Sequence, residues 1–174
     1  TGFLMAGVQG SSGNFVQKFH IQNDGTYVSG GDFAESLPVV DNKTTYEPGD
    51  VLVISERAAG RLAKSTRPYD VHVAGVYSTR PGVMGADKNG ETRVDADDVP
   101  LAIVGIVPTR VSAENGPIRP GDLLTTARTP GYAMRATPVW IHGVAIYRTG
   151  TILGKALESL DHGKGLIRVL VTLR

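Results

Sequence analysis

The sequence contains no cysteine and few aromatic residues, and its charges nearly cancel. Without cysteine, disulfide bonds and thiolate metal sites are excluded. Because aromatic residues make up only 6% of the chain, the core must rest on Val, Ile, Leu and Ala. The apolar runs are too short to span a bilayer as helices. A formal net charge of +1 gives no electrostatic basis for binding nucleic acid or an anionic membrane, so we predict neither partner.

Glycine and proline, by contrast, are abundant and stand between short apolar runs. The chain has 22 Gly and 10 Pro in 174 residues, whereas average usage of the two together is about 12%. Glycine and proline placed in this way are typical of many short strands joined by turns. Residues 47–50 ("EPGD") and 119–122 ("RPGD") each predict a tight turn, because Pro fixes φ and Gly supplies the positive φ of a type II turn. We therefore predict an all-β fold, a barrel-like or sandwich domain of many short strands.

Alternation of apolar and polar residues places the individual strands. Residues 23–25 ("NDG") predict a turn between the first two strands. Short helices are expected at 56–64 and 155–160. Residues 1–31 are mostly polar and contain little to bury, so we expect a division into residues 1–31 and a β domain of residues 32–174. The predicted strands cover residues 15–21, 26–28, 51–54, 71–77, 101–107, 123–125, 139–147 and 166–173.

The acidic segment 87–98 is a weak candidate for a metal site. Asp87, Asn89 and Glu91 place oxygen ligands at alternate positions, as calcium-binding loops do. The EF-hand spacing is not met, because the twelfth position from Asp87 is Asp98 rather than a bidentate Glu. A solvated insertion is the alternative. The sequence contains no nucleotide-binding glycine motif and no HExxH spacing, so we predict no cofactor.

Three stretches that run from Gly to Arg resemble one another, at residues 75–80, 105–110 and 143–148. If they form equivalent corners of one barrel, Arg80, Arg110 and Arg148 would gather at one end. There they would bind an anion or the carboxylates of a neighbouring subunit. The alternative is that these side chains protect exposed strand ends.

One ordered set of motifs points to a family. It consists of "GGDFAES", "YEPGDVLVI", "YDVHVAGVYSTRPGVMG", "GPIRPGDLLTTARTPGYAMRA", "GTILGKALESL" and "GKGLIRVLVTLR". The set resembles a C-terminal domain of phage tail and appendage proteins and of fibre-like bacterial proteins. It is similar to the intramolecular-chaperone autoprotease domain (peptidase G2 type) of phage pre-neck appendages. The resemblance covers nearly all of residues 32–174. Upstream, "FHIQNDGTYVSGG" resembles the end of a trimeric β-stalk, so residues 1–31 are expected to be a stalk end or linker.

The resemblance implies a cap that helps three chains find their register and, in some members, cuts itself off. The cut precedes the Asp of an Asp-aromatic-Ala-Glu motif, which places it here between Gly31 and Asp32. Cleaving members have Ser before the cut, and this chain departs from that pattern. An ester shift is unavailable to Asp32, because that route needs a hydroxyl or thiol after the scissile bond. Asp32 and Glu35 are therefore the candidate catalytic pair, one acting as nucleophile or general base and the other as acid.

Three functions remain open on the sequence. The first is a structural, chaperone-like C-terminal cap that forms a homotrimer on an upstream fibre or stalk segment, uncut. It would belong to a virion tail or a bacterial cell surface. The second is an autoprotease that acts once at Gly31–Asp32. The third is a surface module that binds a glycan or ion through the Arg corners or the 87–98 loop. If the Asp32–Glu35 motif has no catalytic role, it starts a strand with Phe33 buried.

Overall fold

The computed structural model describes residues 3–11, 14–85 and 97–173. Across these residues the chain is rich in strands, with two short 3₁₀ turns at Lys43–Thr45 and Ala113–Asn115. The strands of the described residues are β1 (Phe3–Ser11), β2 (Asn14–Gln22), β3 (Tyr27–Val28), β4 (Asp32–Pro38), β5 (Val51–Ile54), β6 (Leu62–Lys64), β7 (Val73–Tyr77), β8 (Val83–Met84), β9 (Asp98–Ser112), β10 (Leu123–Thr126), β11 (Ala133–Arg135), β12 (Val139–Ile141), β13 (Val144–Ile146), β14 (Ile152–Ala156) and β15 (Lys164–Thr172).

Five strands close into a barrel in the order β9–β15–β14–β10–β11. Neighbours along this order are antiparallel, and a parallel contact between Ala133 of β11 and Val111 of β9 closes the ring. The strand β7 also pairs with β9. Next to β7 come β5 and then β6, so these three strands extend the sheet beyond the barrel. β4 pairs antiparallel with β9, and β8 pairs parallel with β4. The predicted all-β, barrel-like fold is confirmed.

Aliphatic side chains fill the barrel, as the low aromatic content requires. On β15, Ile167, Val169 and Val171 are buried while Leu166 faces solvent, which matches the alternation of the sequence. They pack with Val107 and others in one core cluster. A second cluster lies between β5, β6, β7 and the first half of β9, and Leu52, Leu62, Val99 and Leu101 are among its members.

Both Pro-Gly turns form as predicted and share a further feature. Gly49 and Gly121 have φ of 94° and 92°. Each turn is closed by a backbone hydrogen bond from its fourth residue to its first, at 2.9 and 3.0 Å. In each, the Asp carboxylate at the fourth position also accepts the N–H of the first residue at 2.8 Å. In each turn the Asp side chain therefore adds a hydrogen bond to the backbone bond. The two turns directly precede β5 and β10.

Two predictions of secondary structure are wrong. The single strand at 139–147 is a hairpin of β12 and β13, because His142 and Gly143 adopt positive φ of 48° and 79°. Two such residues form the tight turn that reverses a hairpin. The helices at 56–64 and 155–160 are absent, since these segments contribute the whole of β6 and the end of β14. Pairing of Leu62 with Ile54 in the sheet overrides the local helical preference.

The segment before the barrel forms its own sheet. β1, β2 and β3 pair antiparallel in that order, and the turn at 22–25 brings Val28 opposite His20. The chain passes from this sheet to β4 through Gly30 and Gly31. The proposed division at residues 31 and 32 thus falls between two sheets, and its status as a domain boundary stays a prediction. Among the described residues there is no helix long and apolar enough to cross a membrane.

Candidate functional site

The Gly31–Asp32 peptide, the predicted cleavage junction, is held by hydrogen bonds from two remote segments. The Gly31 carbonyl accepts the Ile106 N–H at 3.2 Å. The Asp32 carbonyl accepts the Gly82 N–H at 2.8 Å. The Ser29 hydroxyl donates to the Gly82 carbonyl at 2.8 Å, which ties it to the loop before β8. The junction is therefore an ordered crossing of three chain segments.

The crossing depends on glycines. A Cβ on Gly82 would lie 2.3 Å from the Gly30 carbonyl oxygen, and one on Gly105 would lie 2.7 Å from the Asp32 Cα. Backbone atoms this close leave no space for a side chain. At Gly31 an added Cβ would lie 3.2 Å from the Ile106 carbonyl oxygen, which a small shift relieves. A serine at position 31 would thus fit with only a small adjustment.

Asp32 is a buried carboxyl, with 8% of its surface exposed. Burial raises its pKa above the ordinary value, while a hydrogen bond with the Ser78 side chain acts in the opposite direction. Its Oδ2 atom has no hydrogen-bond partner among the described residues. Burial therefore makes the protonated form of Asp32 easier to reach than that of an exposed aspartate.

Glu35 lies on the other face of β4. Burial alternates along the strand, with Asp32, Ala34 and Ser36 buried and the residues between them half-buried. The Glu35 carboxylate packs against Gly85, where an added Cβ would lie 2.0 Å from an Oε atom. The structure therefore does not bring Asp32 and Glu35 together as a pair, and the role of each stays a prediction. Phe33 is half-buried on the Glu35 face rather than in the core.

The predicted acidic segment is only partly within the described residues. Asp87, Asn89 and Glu91 lie outside them. Asp98, at the end of the segment, is buried and accepts a hydrogen bond from the Ser36 hydroxyl at 2.9 Å, so it joins β9 to β4. In the part of the chain that is described, no group of three or more His, Asp or Glu side chains could hold a metal ion.

The three arginines of the Gly-to-Arg stretches have different surroundings. The Arg80 carbonyl oxygen lies beside Gly30, just before β4. Arg110 forms an ion pair with Glu47 and approaches Asp50 at 3.8 Å. Arg148 lines a separate cleft beside Tyr69. These contacts differ from one arginine to the next, so the described residues give no support for a single arginine cluster.

A surface cleft of about 520 Å³ escaped the sequence analysis; its lining includes Tyr69, Glu114, Arg128 and Thr129. Glu114 accepts hydrogen bonds from the Arg128 N–H at 2.6 Å and the Thr129 hydroxyl at 2.7 Å. Although burial raises the pKa of Glu114, hydrogen bonds from Thr129, Arg128 and Ser112 outweigh it and lower the pKa. Glu114 thereby ties the 3₁₀ turn after β9 to the loop after β10.

Residues that surround Asp32 were also missed. Ser78, Gly82 and Gly105 come from two distant segments. Ser78 and Gly105 both belong to the Gly-to-Arg stretches, so a signal was present in the sequence. The sequence does not show that these stretches approach Asp32. That proximity depends on the register of β4 against β9, which local patterns do not determine.

Comparisons with known proteins extend the description of the fold. No protein-family model matches the chain, and no curated protein matches it. Among solved structures, the chain is similar to the crystal structure of the pre-mature bacteriophage phi29 gene product 12, with a TM-score of 0.53 and 12% sequence identity. The match covers 90% of this chain and 24% of that chain, so this chain spans about a quarter of the protein it matches. The chain thus shares its fold with one segment of a bacteriophage protein.

Proposed function

We propose that the chain is the trimerising, chaperone-like C-terminal cap of a phage-tail or fibre-like structural protein, associated with the virion. The partner of each copy is two further copies and the upstream stalk of the same protein. The fold shared with a segment of a bacteriophage gene product supports a phage structural role. The bacterial cell surface is the alternative location that the sequence motifs leave open.

The observation that carries the proposal is the sheet formed by β1, β2 and β3. It stands apart from the barrel sheet, and Leu4, Met5 and Tyr27 on it are about half to two-thirds exposed. A three-stranded sheet with apolar side chains in water gains stability when neighbouring chains cover it. Three parallel copies would supply that cover, and the same arrangement would align three caps.

Native and denaturing mass spectrometry of the chain tests this function. The expected result is an intact chain under denaturing conditions and a threefold mass under native conditions that persists on dilution. A monodisperse monomer at all concentrations would contradict the proposal. Sedimentation in parallel checks that the trimer is not formed during ionisation.

A second candidate function, single-turnover autoproteolysis at Gly31–Asp32, has one favourable observation. Asp32 is buried with a raised pKa, directly beside a peptide carbonyl that accepts the Ile106 N–H. A hydrogen-bonded carbonyl beside a carboxyl of raised pKa is an arrangement that acid-assisted peptide cleavage can use. Against it, Glu35 lies on the opposite face of β4, and the residue before the junction is Gly31.

The denatured mass separates the two candidates. A fragment that begins at Asp32 would establish cleavage, and Asp32→Asn should then preserve the full-length chain. Glu35→Gln is the matched variant, and an unchanged cleavage rate in it would remove Glu35 from the reaction. Gly31→Ser tests whether the missing hydroxyl alone prevents the cut.

A further inference from the structure

The β12–β13 hairpin presents a largely apolar arm to solvent. Its five large apolar side chains, from Val139 to Ile146, are 45–67% exposed, with Trp140 the most exposed. Between Val139 and Tyr147 the single ionisable side chain is His142 at the turn. A two-stranded hairpin is marginally stable in water by itself. An arm of this composition therefore gains stability when it packs against another apolar surface.

The same chain has a second exposed apolar surface, on the outer face of β8, β4, β9 and β15. We call it the barrel wall and define it by Val83, Phe33, Val104, Ile106, Leu166 and Leu170. Register places these residues on one face, since Phe33 lies opposite both Val83 and Val104, and Leu170 lies opposite Ile106. Exposed fractions of Val83, Val104, Ile106 and Leu166 are 42–58%. Patches of this kind mark interaction sites.

Within one copy the two surfaces do not cover each other, because both are exposed. The charged side chains on the barrel wall already have contacts within the fold, and Glu35, on the Phe33 face of β4, packs against Gly85. Arg168 and Arg110, which flank Leu166 on the barrel wall, are already paired with Glu158 and Glu47. The hairpin has no acidic or basic residue other than His142. We therefore expect a partner surface to be apolar, and the chain itself supplies one.

We propose that the β12–β13 hairpin of one copy packs on the barrel wall of a second copy of this chain. The inference rests on the proposed trimer and assigns its contact. Because arm and wall are different surfaces, the contact is head-to-tail, and three such contacts close a ring. A standard interface buries about 1,600 Å² in total, more than the five side chains of the arm and the six of the barrel wall supply. The contact therefore adds to association through the stalk rather than replacing it.

Trp140 is the chain's single tryptophan, so its fluorescence reports on the arm without any label. In the wild-type trimer we expect blue-shifted emission and weak quenching by acrylamide. Leu166→Ser on the barrel wall should increase quenching several-fold while the stalk still holds a trimer. Ile54→Ser, an equally exposed site on β5 away from the wall, is the matched control and should leave quenching unchanged.

Cysteine cross-linking gives a second readout, which is clean because the natural sequence has no cysteine. The double variant His142→Cys and Thr172→Cys has one thiol at the hairpin turn and one on the outer face of β15. A short bismaleimide should join copies in the double variant and not in either single variant. Cross-linking of the His142→Cys single variant would mean that hairpins meet each other, which would overturn the proposal.

The outcomes separate this inference from the trimer itself. A wild-type monomer overturns both. A wild-type trimer in which Trp140 is quenched as freely as in the unfolded chain overturns the arm-to-wall contact alone. Shielding of Trp140 only when neutral phosphatidylcholine vesicles are added would assign the arm to a lipid surface, and would also overturn it.

Discussion

Gly105 lies directly opposite Asp32 in the β4–β9 pair, with a φ of 127°. A Cβ at residue 105 would come within 2.7 Å of both the Asp32 Cα and the Gly31 carbonyl oxygen. The position of the predicted cleavage junction is thus set by the absence of a side chain on a strand more than seventy residues away in sequence.

Gly105→Ala should destabilise the fold strongly. The added methyl group meets backbone atoms that cannot rotate away, and the positive φ adds strain, so we expect a loss of about 2–4 kcal/mol. Gly121→Ala is the control, since its φ is also positive but nothing lies within 4 Å of its Cβ. Urea denaturation at fixed protein concentration measures both. Equal losses would show that the contact with Asp32 has no effect.

The two Pro-Gly turns offer a matched pair of carboxylates. Asp50 is buried, accepts the Glu47 N–H and lies 2.8 Å from the Lys64 Nζ, whereas Asp122 makes the same backbone bond at a more exposed site. Asp50→Ala should cost about 3 kcal/mol because it removes the carboxylate beside the partly buried Lys64 ammonium, which then keeps only its bond to the Thr45 carbonyl. Asp122→Ala should cost about 1 kcal/mol, the value of one turn-capping hydrogen bond. Thermal unfolding of the two variants tests this order, and a larger loss for Asp122→Ala would contradict it.

Much of the barrel follows from local patterns. The alternation of β15 and the two Pro-Gly turns each depend on a few adjacent residues, and the structure reproduces them. β9 was predicted only at 101–107 yet runs from Asp98 to Ser112. Its extra length is stabilised by β4 at one end and β15 at the other, and such pairing is invisible to a local pattern.

The candidate site, too, could be predicted from local patterns only in part. Asp32 was found through a motif, but its neighbours Ser78 and Gly105 depend on strand register. The separation of Asp32 from Glu35 was within reach of the sequence. Side chains alternate along a strand, so two residues three positions apart point to opposite faces.

Glu114→Gln should lower stability at neutral pH. Hydrogen bonds hold the folded-state pKa of Glu114 below its unfolded value, despite the opposing effect of burial. Its contribution is therefore present above the unfolded pKa of about 4.3 and is lost as the pH falls through the folded pKa. We expect a loss of about 1 kcal/mol at pH 7, a modest value because the side chain is exposed. Urea unfolding at several pH values should show the variant and wild type converging in acid; a constant difference would contradict this.

Asp32→Asn should have the opposite effect and raise the free energy of unfolding at neutral pH. Burial raises the folded-state pKa of Asp32 above its unfolded value, in spite of the bond with Ser78. The Asp32 carboxyl therefore contributes most favourably to the free energy of unfolding below about pH 3.9. This contribution declines as the pH rises through the folded-state pKa. The asparagine carries no charge, so the variant should exceed wild type in free energy of unfolding at pH 7 and match it in acid. If the variant is instead less stable at pH 7, the fold must stabilise the ionised form of Asp32. Asp32 would then be a poor candidate for the proton donor at the junction.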